Sequence, residues 1–135
     1  MLLFRHALFA AGLSLGLAAP AAAHHSSAAY DSDNLMMMEG TVKSVNWTNP
    51  HITFVVEKDA KDGEPASTWV FETSSPGVLL GSGWTKSSLQ PGDHAVFCFA
   101  PLRDGGAGGF LLRVKLPNGQ DLRRISSPGF PHQCR

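Results

Sequence analysis

The sequence has few cysteines, no excess of charge of either sign and no long apolar segment, and each shortage excludes a class of protein. Cys98 and Cys134 are the two cysteines, so there is no CxxC pair of the kind used in redox-active sites. Lysine plus arginine and aspartate plus glutamate each number 11, whereas nucleic-acid-binding proteins usually carry a clear basic excess. The apolar run 7–19 is shorter than the roughly 20 residues of a transmembrane helix.

The first 23 residues have the layout of a secretory signal peptide. Arg5 supplies the short cationic start, residues 7–19 form the apolar segment, and small residues follow it. Ala21 and Ala23 fit the small-x-small rule, so we predict cleavage after Ala23, with a cut after Ala21 as the alternative. We therefore predict residues 1–23 to be a signal peptide. The protein is then periplasmic or secreted, with no stable membrane anchor after signal cleavage.

The mature chain has the length of one domain. Removing 23 residues from 135 leaves 112, which suits a single core. Its charge stays nearly balanced, because 10 Lys and Arg face 11 Asp and Glu once Arg5 is removed. A hydrophobic content of 43% is sufficient for a folded core. We predict a loose N-terminal leader over 24–34, a folded domain over 35–125 and a C-terminal tail over 126–135.

The apolar pattern of this domain predicts a mainly β protein. In "HITFVVE" the residues alternate regularly, so Ile52 and Phe54 share one face of a strand. The preceding strand is less regular, because Val42 and Val45 are three positions apart and cannot share a face of a straight strand. A bulge or bend within 40–44 would reconcile them.

One short helix is predicted after the third strand. Ser75 can cap it, Pro76 suits its first position, and Gly81 stops it early. The apolar stretch 78–80 is expected to be buried. The glycine-rich segment 103–109, "RDGGAGG", is expected to be a flexible loop, since no helix follows it to present an N-terminus to a phosphate.

The element order is that of an OB-fold-like barrel. Three strands, one short helix between strands 3 and 4, two more strands and a closing hairpin predict five to six strands in all. An open sandwich is the alternative. A barrel this small has a filled interior, so a binding site is expected on an outer face or at the loops.

The order of several motifs resembles that of an exported bacterial family known as domain of unknown function 6152. The motifs are "AHHS", "GTVKSVNWTNPH", "WVFET", "SPGVLL" and "GWTKSSLQPGD". The resemblance implies a small exported β-barrel domain with no established reaction. It also implies that the following residues match the family pattern: His24, His25, Trp47, Asn49, Pro50, His51, Pro76, Gly83 and Trp84. The chain departs at Ser27, where an aromatic residue is expected, and the methionines 36–38 and both cysteines are peculiar to it.

The histidine pair after the signal peptide is a candidate copper site. Cleavage after Ala23 would give His24 a free amine beside its imidazole, a pair that suits copper when a further imidazole completes it. An earlier cut would place a histidine third from the amine, which also chelates Cu(II). His25 and His51 complete the predicted ligand set, and His94 and His132 rank behind His51. The alternatives are a disordered leader and a His51 that only hydrogen-bonds the neighbouring turn.

Two further hypotheses use other residues. An envelope protein could bind a face made of Trp47, Asn49, His51 and Trp84, in which case the domain is an interaction or scaffold module. A copper-dependent oxidoreductase is a remote alternative, because no paired carboxylates and no nucleophile-elbow pattern point to catalysis. The sequence therefore predicts a non-enzymatic binding module, with copper as the leading ligand.

The two cysteines leave two interpretations open. In an oxidising compartment Cys98 and Cys134 can form a disulfide, and its 36-residue separation would give it a stabilising effect of about 3–4 kcal/mol. Otherwise they are two unpaired thiols, one in a strand and one in the tail. The bridge, if formed, would pin the tail to the barrel.

Overall fold

In the computed structural model, which describes residues 27–124 and Cys134, the chain forms a six-stranded sheet and one short α-helix. The strands are β1 Met36–Asn46, β2 Thr53–Lys58, β3 Ser67–Glu72, β4 His94–Pro101, β5 Gly108–Lys115 and β6 Asp121–Arg123, and the helix α1 spans Pro76–Gly81. A single 3-10 turn, Ser27–Ala29, precedes β1. Among the described residues no helix has the length and hydropathy needed to cross a membrane.

Five of the strands close into a barrel, as the sequence predicts. The order across the sheet is β3-β2-β1-β4-β5-β6, and a parallel pairing of β3 with β5 joins its two sides. Strand β6 pairs with the other end of β5 and lies outside the closed barrel. With α1 between β3 and β4, the architecture is a closed OB-fold-like barrel with one extra strand.

The predicted irregularity in the first strand is a bulge at Lys43. Val42 pairs with Val56, whereas Ser44 pairs with Val55, so Lys43 is the extra residue. The bulge lets one continuous strand serve two parts of the barrel, because the first half of β1 pairs with β4 and the second half with β2. It also brings Val42 and Val45 toward the same interior.

The interior is filled by alternate residues of the strands. The two residues predicted to share a face, Ile52 just before β2 and Phe54 within it, are completely buried. Aromatic rings dominate the centre: Phe71 lies 4.6 Å from Phe99 and 5.8 Å from Phe97 between ring centroids. Burial of rings of this size supplies much of the driving force for folding.

The glycine-rich segment is only partly a loop, which corrects the expectation of a flexible stretch over 103–109. Gly108 and Gly109 begin β5, and both are buried. A Cβ atom on Gly108 would lie 2.4 Å from the carbonyl oxygen of Val70, and one on Gly109 would lie 2.4 Å from that of Ala100. Where the barrel closes, the backbones approach too closely for any side chain, so both positions require glycine.

The helix begins as predicted but buries less than predicted. The Ser75 side chain accepts a hydrogen bond from the Val78 amide, and Pro76 takes the first helical position. Only Leu79 of the stretch 78–80 is buried, while Val78 and Leu80 are 45% and 54% exposed. A helix of six residues offers one narrow stripe to the barrel, so the expectation that all three side chains are buried is wrong.

Candidate functional site around His51

His51 lies at the end of the barrel where β2 begins and β3 ends. It follows the cis peptide bond between Asn49 and Pro50. The amide of Ile52 donates to the Ser74 carbonyl oxygen at 3.3 Å, and the Thr73 amide donates to the Ile52 carbonyl oxygen at 2.9 Å. These bonds continue the β2–β3 pairing beyond the strands and hold the His51 backbone beside the end of β3.

Glu72 orients the imidazole of His51. Its Oε1 contacts the Nδ1 of His51, and the side chains of Glu72 and His51 are 28% and 30% exposed. Both are therefore accessible from solvent while being shielded enough to hold one geometry. A carboxylate at one ring nitrogen of a histidine fixes the orientation of the ring.

Tyr30 completes this arrangement from the N-terminal leader. Its hydroxyl donates to the Oε2 of Glu72 at 3.1 Å, and its ring lies 5.4 Å from that of Phe110. Backbone contacts hold the same segment: Tyr30 forms a β-bridge with Leu102, and the amide of Asp31 donates to the Pro101 carbonyl oxygen at 2.8 Å. Tyr30 and Asp31 are thus held against the barrel at this point.

A partly buried arginine borders the same aromatic ring. The Arg124 guanidinium lies 5.3 Å from the centroid of Phe110, and its Nη1 donates to the Ser74 hydroxyl at 3.2 Å. Burial lowers the pKa of Arg124, and its buried Nε has no hydrogen-bond partner among the described residues. The end of the barrel around His51 therefore combines histidine, carboxylate, phenol and guanidinium groups.

The phenol of Tyr30 is predicted to ionise at unusually high pH. Burial, then the charge of Glu72 and the hydrogen bond to it, raise the pKa of Tyr30 from 10.0 to about 12. Because the folded state retains the proton more strongly than the unfolded state, stability is unaffected below pH 10 and falls as the pH rises toward 12.

One titration measures this pKa directly. Tyr30 is the single tyrosine of the chain, so the ultraviolet difference absorbance of tyrosinate reports this residue alone. We expect a midpoint near 12 in the folded protein and a midpoint near the ordinary tyrosine value of 10.0 in denaturant. A folded-state midpoint equal to the denatured one would contradict the contact with Glu72.

The residues predicted to form a binding face with His51 occupy different environments: Trp84 is internal, whereas Trp47 and Asn49 are not. Trp84 is 2% exposed, and its Nε1 donates to the Arg123 carbonyl oxygen at 2.8 Å. The expectation that Trp84 belongs to an exposed face is therefore wrong, because the chain folds back over the ring. Trp47 is half-buried and packs against the core, whereas Asn49 is exposed beside His51.

The other candidate metal ligands are not gathered around His51 by the described part of the chain. His24, His25 and His132 lie outside the described residues. His94 lies elsewhere on the barrel, with its Nε2 2.7 Å from the Oδ2 of Asp59. Within residues 27–124 and Cys134, no group of three or more His, Cys, Asp or Glu side chains is placed to hold a metal ion.

The cysteines are joined in the structure. Cys98 and Cys134 form a disulfide with Cα atoms 5.7 Å apart, and they are 2% and 1% exposed. Cys98 belongs to β4 on the outer side of the barrel, so the bond ties the end of the tail to the sheet. This disulfide lies outside the cluster around His51.

Comparison with known proteins assigns the chain to a family but brings no function with it. No curated protein matches the sequence significantly, and no solved structure does. A family model does match, over residues 13–112, and its description is a family of unknown function. The match includes Tyr30, His51, Glu72 and most of the barrel. The chain therefore belongs to the family of unknown function DUF6152.

Proposed function

We propose that the protein is an exported, non-enzymatic module that binds a divalent metal ion, copper above all, through His24, His25 and His51. The location rests on the signal-like residues 1–23, with a periplasmic or secreted destination. The preference for copper rests on the ligand type, since imidazole and amine nitrogens bind Cu(II) more strongly than they bind the other common divalent ions.

The observation that carries the proposal is the carboxylate behind His51. Histidines that bind metals almost always donate their other ring nitrogen to a carboxylate, a carbonyl or water, which sets the orientation of the ring and raises its basicity. Glu72 takes this position at the Nδ1 of His51, and Tyr30 in turn holds the second carboxylate oxygen.

The attachment of Tyr30 to the barrel supports assigning the three histidines to one proposed site. Tyr30 is held beside Glu72, and it is five positions after His25 along the chain. An extended segment of that length spans at most about 18 Å, and a folded one spans less. This short connection to Tyr30 is the reason for including His24 and His25 with His51 in one proposed site.

The proposal is tested by the mass of the exported protein followed by a copper titration. The intact mass establishes whether the chain begins at His24. We then expect one Cu(II) per chain in competition with a chromophoric chelator, and a loss of that site in the variant His24→Ala/His25→Ala. His94→Ala is the matched control and should bind as the wild type does. Equal, weak uptake by the wild type and the double variant would end the proposal.

Removing the charge of Glu72 is expected to weaken copper binding without removing a ligand. Glu72→Gln keeps the size of the side chain but loses the negative charge beside His51, and changes of this kind typically cost about 10- to 100-fold in metal affinity. The measurement is the same competition titration. Glu57→Gln, an exposed carboxylate on β2 that pairs with Lys43 at 3.5 Å, is the control and should leave the affinity unchanged.

A second candidate function uses the same end of the barrel for an envelope protein. Asn49 is exposed and lies close to His51 in the chain. A surface formed by Asn49, His51 and Trp47 is therefore still a candidate, although Trp84 is internal and does not belong to it. Recovery of a partner that depends on Asn49 but not on added copper would favour this function. A copper oxidoreductase is the third candidate, and it requires redox turnover that disappears when the amine of His24 is blocked.

A further inference from the structure

Arg124 differs from the other arginines of the described residues because it has no acidic partner. The other three each form an ion pair with an aspartate: Arg103 with Asp31, and Arg113 and Arg123 with Asp121. Arg124 is half-buried, and a charge that is partly removed from water normally has a counter-ion. Arg124 therefore carries a positive charge that the described part of the chain does not neutralise.

The carboxylate on the neighbouring strand is engaged elsewhere. The Arg124 guanidinium lies 5.3 Å from the centroid of the Phe110 ring, and Phe110 is paired in register with Glu72. The two carboxylate oxygens of Glu72 are held by His51 and Tyr30. Glu72 therefore belongs to this end of the barrel but forms no ion pair with Arg124.

Backbone hydrogen bonds and an aromatic ring hold Arg124 in place. Its amide donates to the Leu112 carbonyl oxygen at 2.9 Å, and the Ser82 hydroxyl donates to the Arg124 carbonyl oxygen at 2.7 Å. The Phe110 ring supports the guanidinium. An arginine restrained in this way loses less conformational entropy on binding a ligand than a freely moving surface arginine does.

Only the outer end of the guanidinium is available to a ligand. The Nε atom is buried and has no hydrogen-bond partner among the described residues, so a ligand does not reach it. Nη1 donates to the Ser74 hydroxyl oxygen at 3.2 Å and has a second hydrogen. Nη2 has no hydrogen-bond partner among residues 27–124 and Cys134, and it is not fully buried. The Ser74 hydroxyl keeps its own proton to donate.

We propose that Arg124 and Ser74 bind a small monocarboxylate. Its two oxygens accept hydrogen bonds from Nη1 and Nη2 of Arg124, and the Ser74 hydroxyl donates to one of them. The planar guanidinium matches a carboxylate through two parallel hydrogen bonds. The site uses neither the leader histidines nor a metal ion, so it goes beyond the copper proposal.

The surroundings favour a monocarboxylate with an apolar group over a phosphate. One guanidinium neutralises one negative charge, whereas a dianionic phosphate would retain a second charge at the end of the barrel that already contains Glu72. The ring of Phe110 adjoins the guanidinium and lies 5.4 Å from the ring of Tyr30 between centroids. Both rings are partly exposed, so they offer apolar surface to the hydrocarbon part of the ligand.

An NMR titration of the metal-free protein with benzoate tests this site. We expect saturable shifts of the amide signals of Ser74 and Arg124, and no saturable shifts with benzamide, which has the same ring without the charge. Arg124→Gln should raise the benzoate dissociation constant about tenfold or more, since it removes hydrogen bonds between two charged groups. Because no metal is present, the result does not depend on the copper site.

Arg123→Gln is the matched control. It removes the same charge at the adjacent position, from a side chain that pairs with Asp121, and should leave the benzoate dissociation constant unchanged. Ser74→Ala keeps the guanidinium and should raise that constant about two- to tenfold, which gives a second measurement if Arg124→Gln does not fold. Benzoate shifts that do not saturate overturn the proposal, as does equal affinity of the wild type and both site variants. Inorganic phosphate that shifts the same signals as tightly as benzoate would overturn the assignment to a monocarboxylate.

Discussion

Trp84→Ala is expected to lower the free energy of unfolding by about 3–5 kcal/mol, the usual cost of removing a large buried aromatic side chain. The ring is 2% exposed and lies 6.2 Å from that of Phe54. Its Nε1 also donates to the Arg123 carbonyl oxygen at 2.8 Å, and truncation removes this bond together with the packing. Urea denaturation followed by circular dichroism measures the change.

Trp47→Ala is the matched control for this prediction. Trp47 is half-buried and lies at the margin of the core, so its truncation removes less contact and should cost clearly less than that of Trp84. A Trp84→Ala protein as stable as the wild type would contradict the internal position of the ring. It would also return Trp84 to the candidate binding face.

Gly109→Ala is expected to destabilise the barrel by about 3 kcal/mol, at the upper end of the range for an overpacked interior. The added Cβ would lie 2.4 Å from the Ala100 carbonyl oxygen and 2.7 Å from a ring carbon of Phe99. Neither group can yield easily, because Ala100 is paired with Phe110 in the sheet and Phe99 belongs to the filled interior. Strands β4 and β5 would have to separate where the barrel closes.

Gly77→Ala separates this steric effect from the general consequences of replacing a glycine. Gly77 lies in α1, and a Cβ atom there would meet nothing within 4 Å. Alanine is preferred over glycine inside a helix by about 1 kcal/mol, so this variant should be as stable as the wild type or slightly more stable. Equal stabilities of Gly77→Ala and Gly109→Ala would contradict the close approach of the two strands.

The barrel could be predicted from the sequence because its signals are local. Alternation marks the faces of β2, the spacing of Val42 and Val45 requires a bulge, and Ser75 with Pro76 starts the helix. Each of these patterns depends on neighbouring residues whose geometry is fixed by the backbone alone. The closure at Gly108 and Gly109 was missed because it depends on a contact with Val70 and Ala100 that no local pattern contains.

The candidate site was predicted in part. His51 was identified from its position beside a turn, but its partners Glu72 and Tyr30 were not. The sequence did contain a signal for Glu72. The Asp62–Gly63 turn sets the register of β2 and β3, in which Thr53 pairs with Glu72. His51 lies two residues before Thr53, so it is a diagonal neighbour of Glu72 on the same face of the sheet. No sequence signal indicated the role of Tyr30, because its attachment to the distant β2–β3 hairpin is a tertiary contact.

The exposure of individual apolar side chains was the least predictable feature. A residue next to a turn is often exposed, yet the carbonyl group of Arg123 reaches the indole of Trp84 from 39 positions away. Conversely, Val78 and Leu80 look like core residues but lie on the sides of a helix too short to bury them. Burial is decided by which distant segments cover a residue, and composition carries little of that information.

The histidine ring signals of the chain that begins at His24, recorded by NMR during addition of substoichiometric Cu(II), test the proposed copper site most directly. Bound Cu(II) broadens the signals of nearby nuclei, and His94, which is also exposed and paired with a carboxylate, serves as an internal reference. The proposal predicts that the signals of His24, His25 and His51 disappear together while those of His94 persist. Persistence of the His51 signals while copper broadens those of His94 or of the leader alone would contradict it.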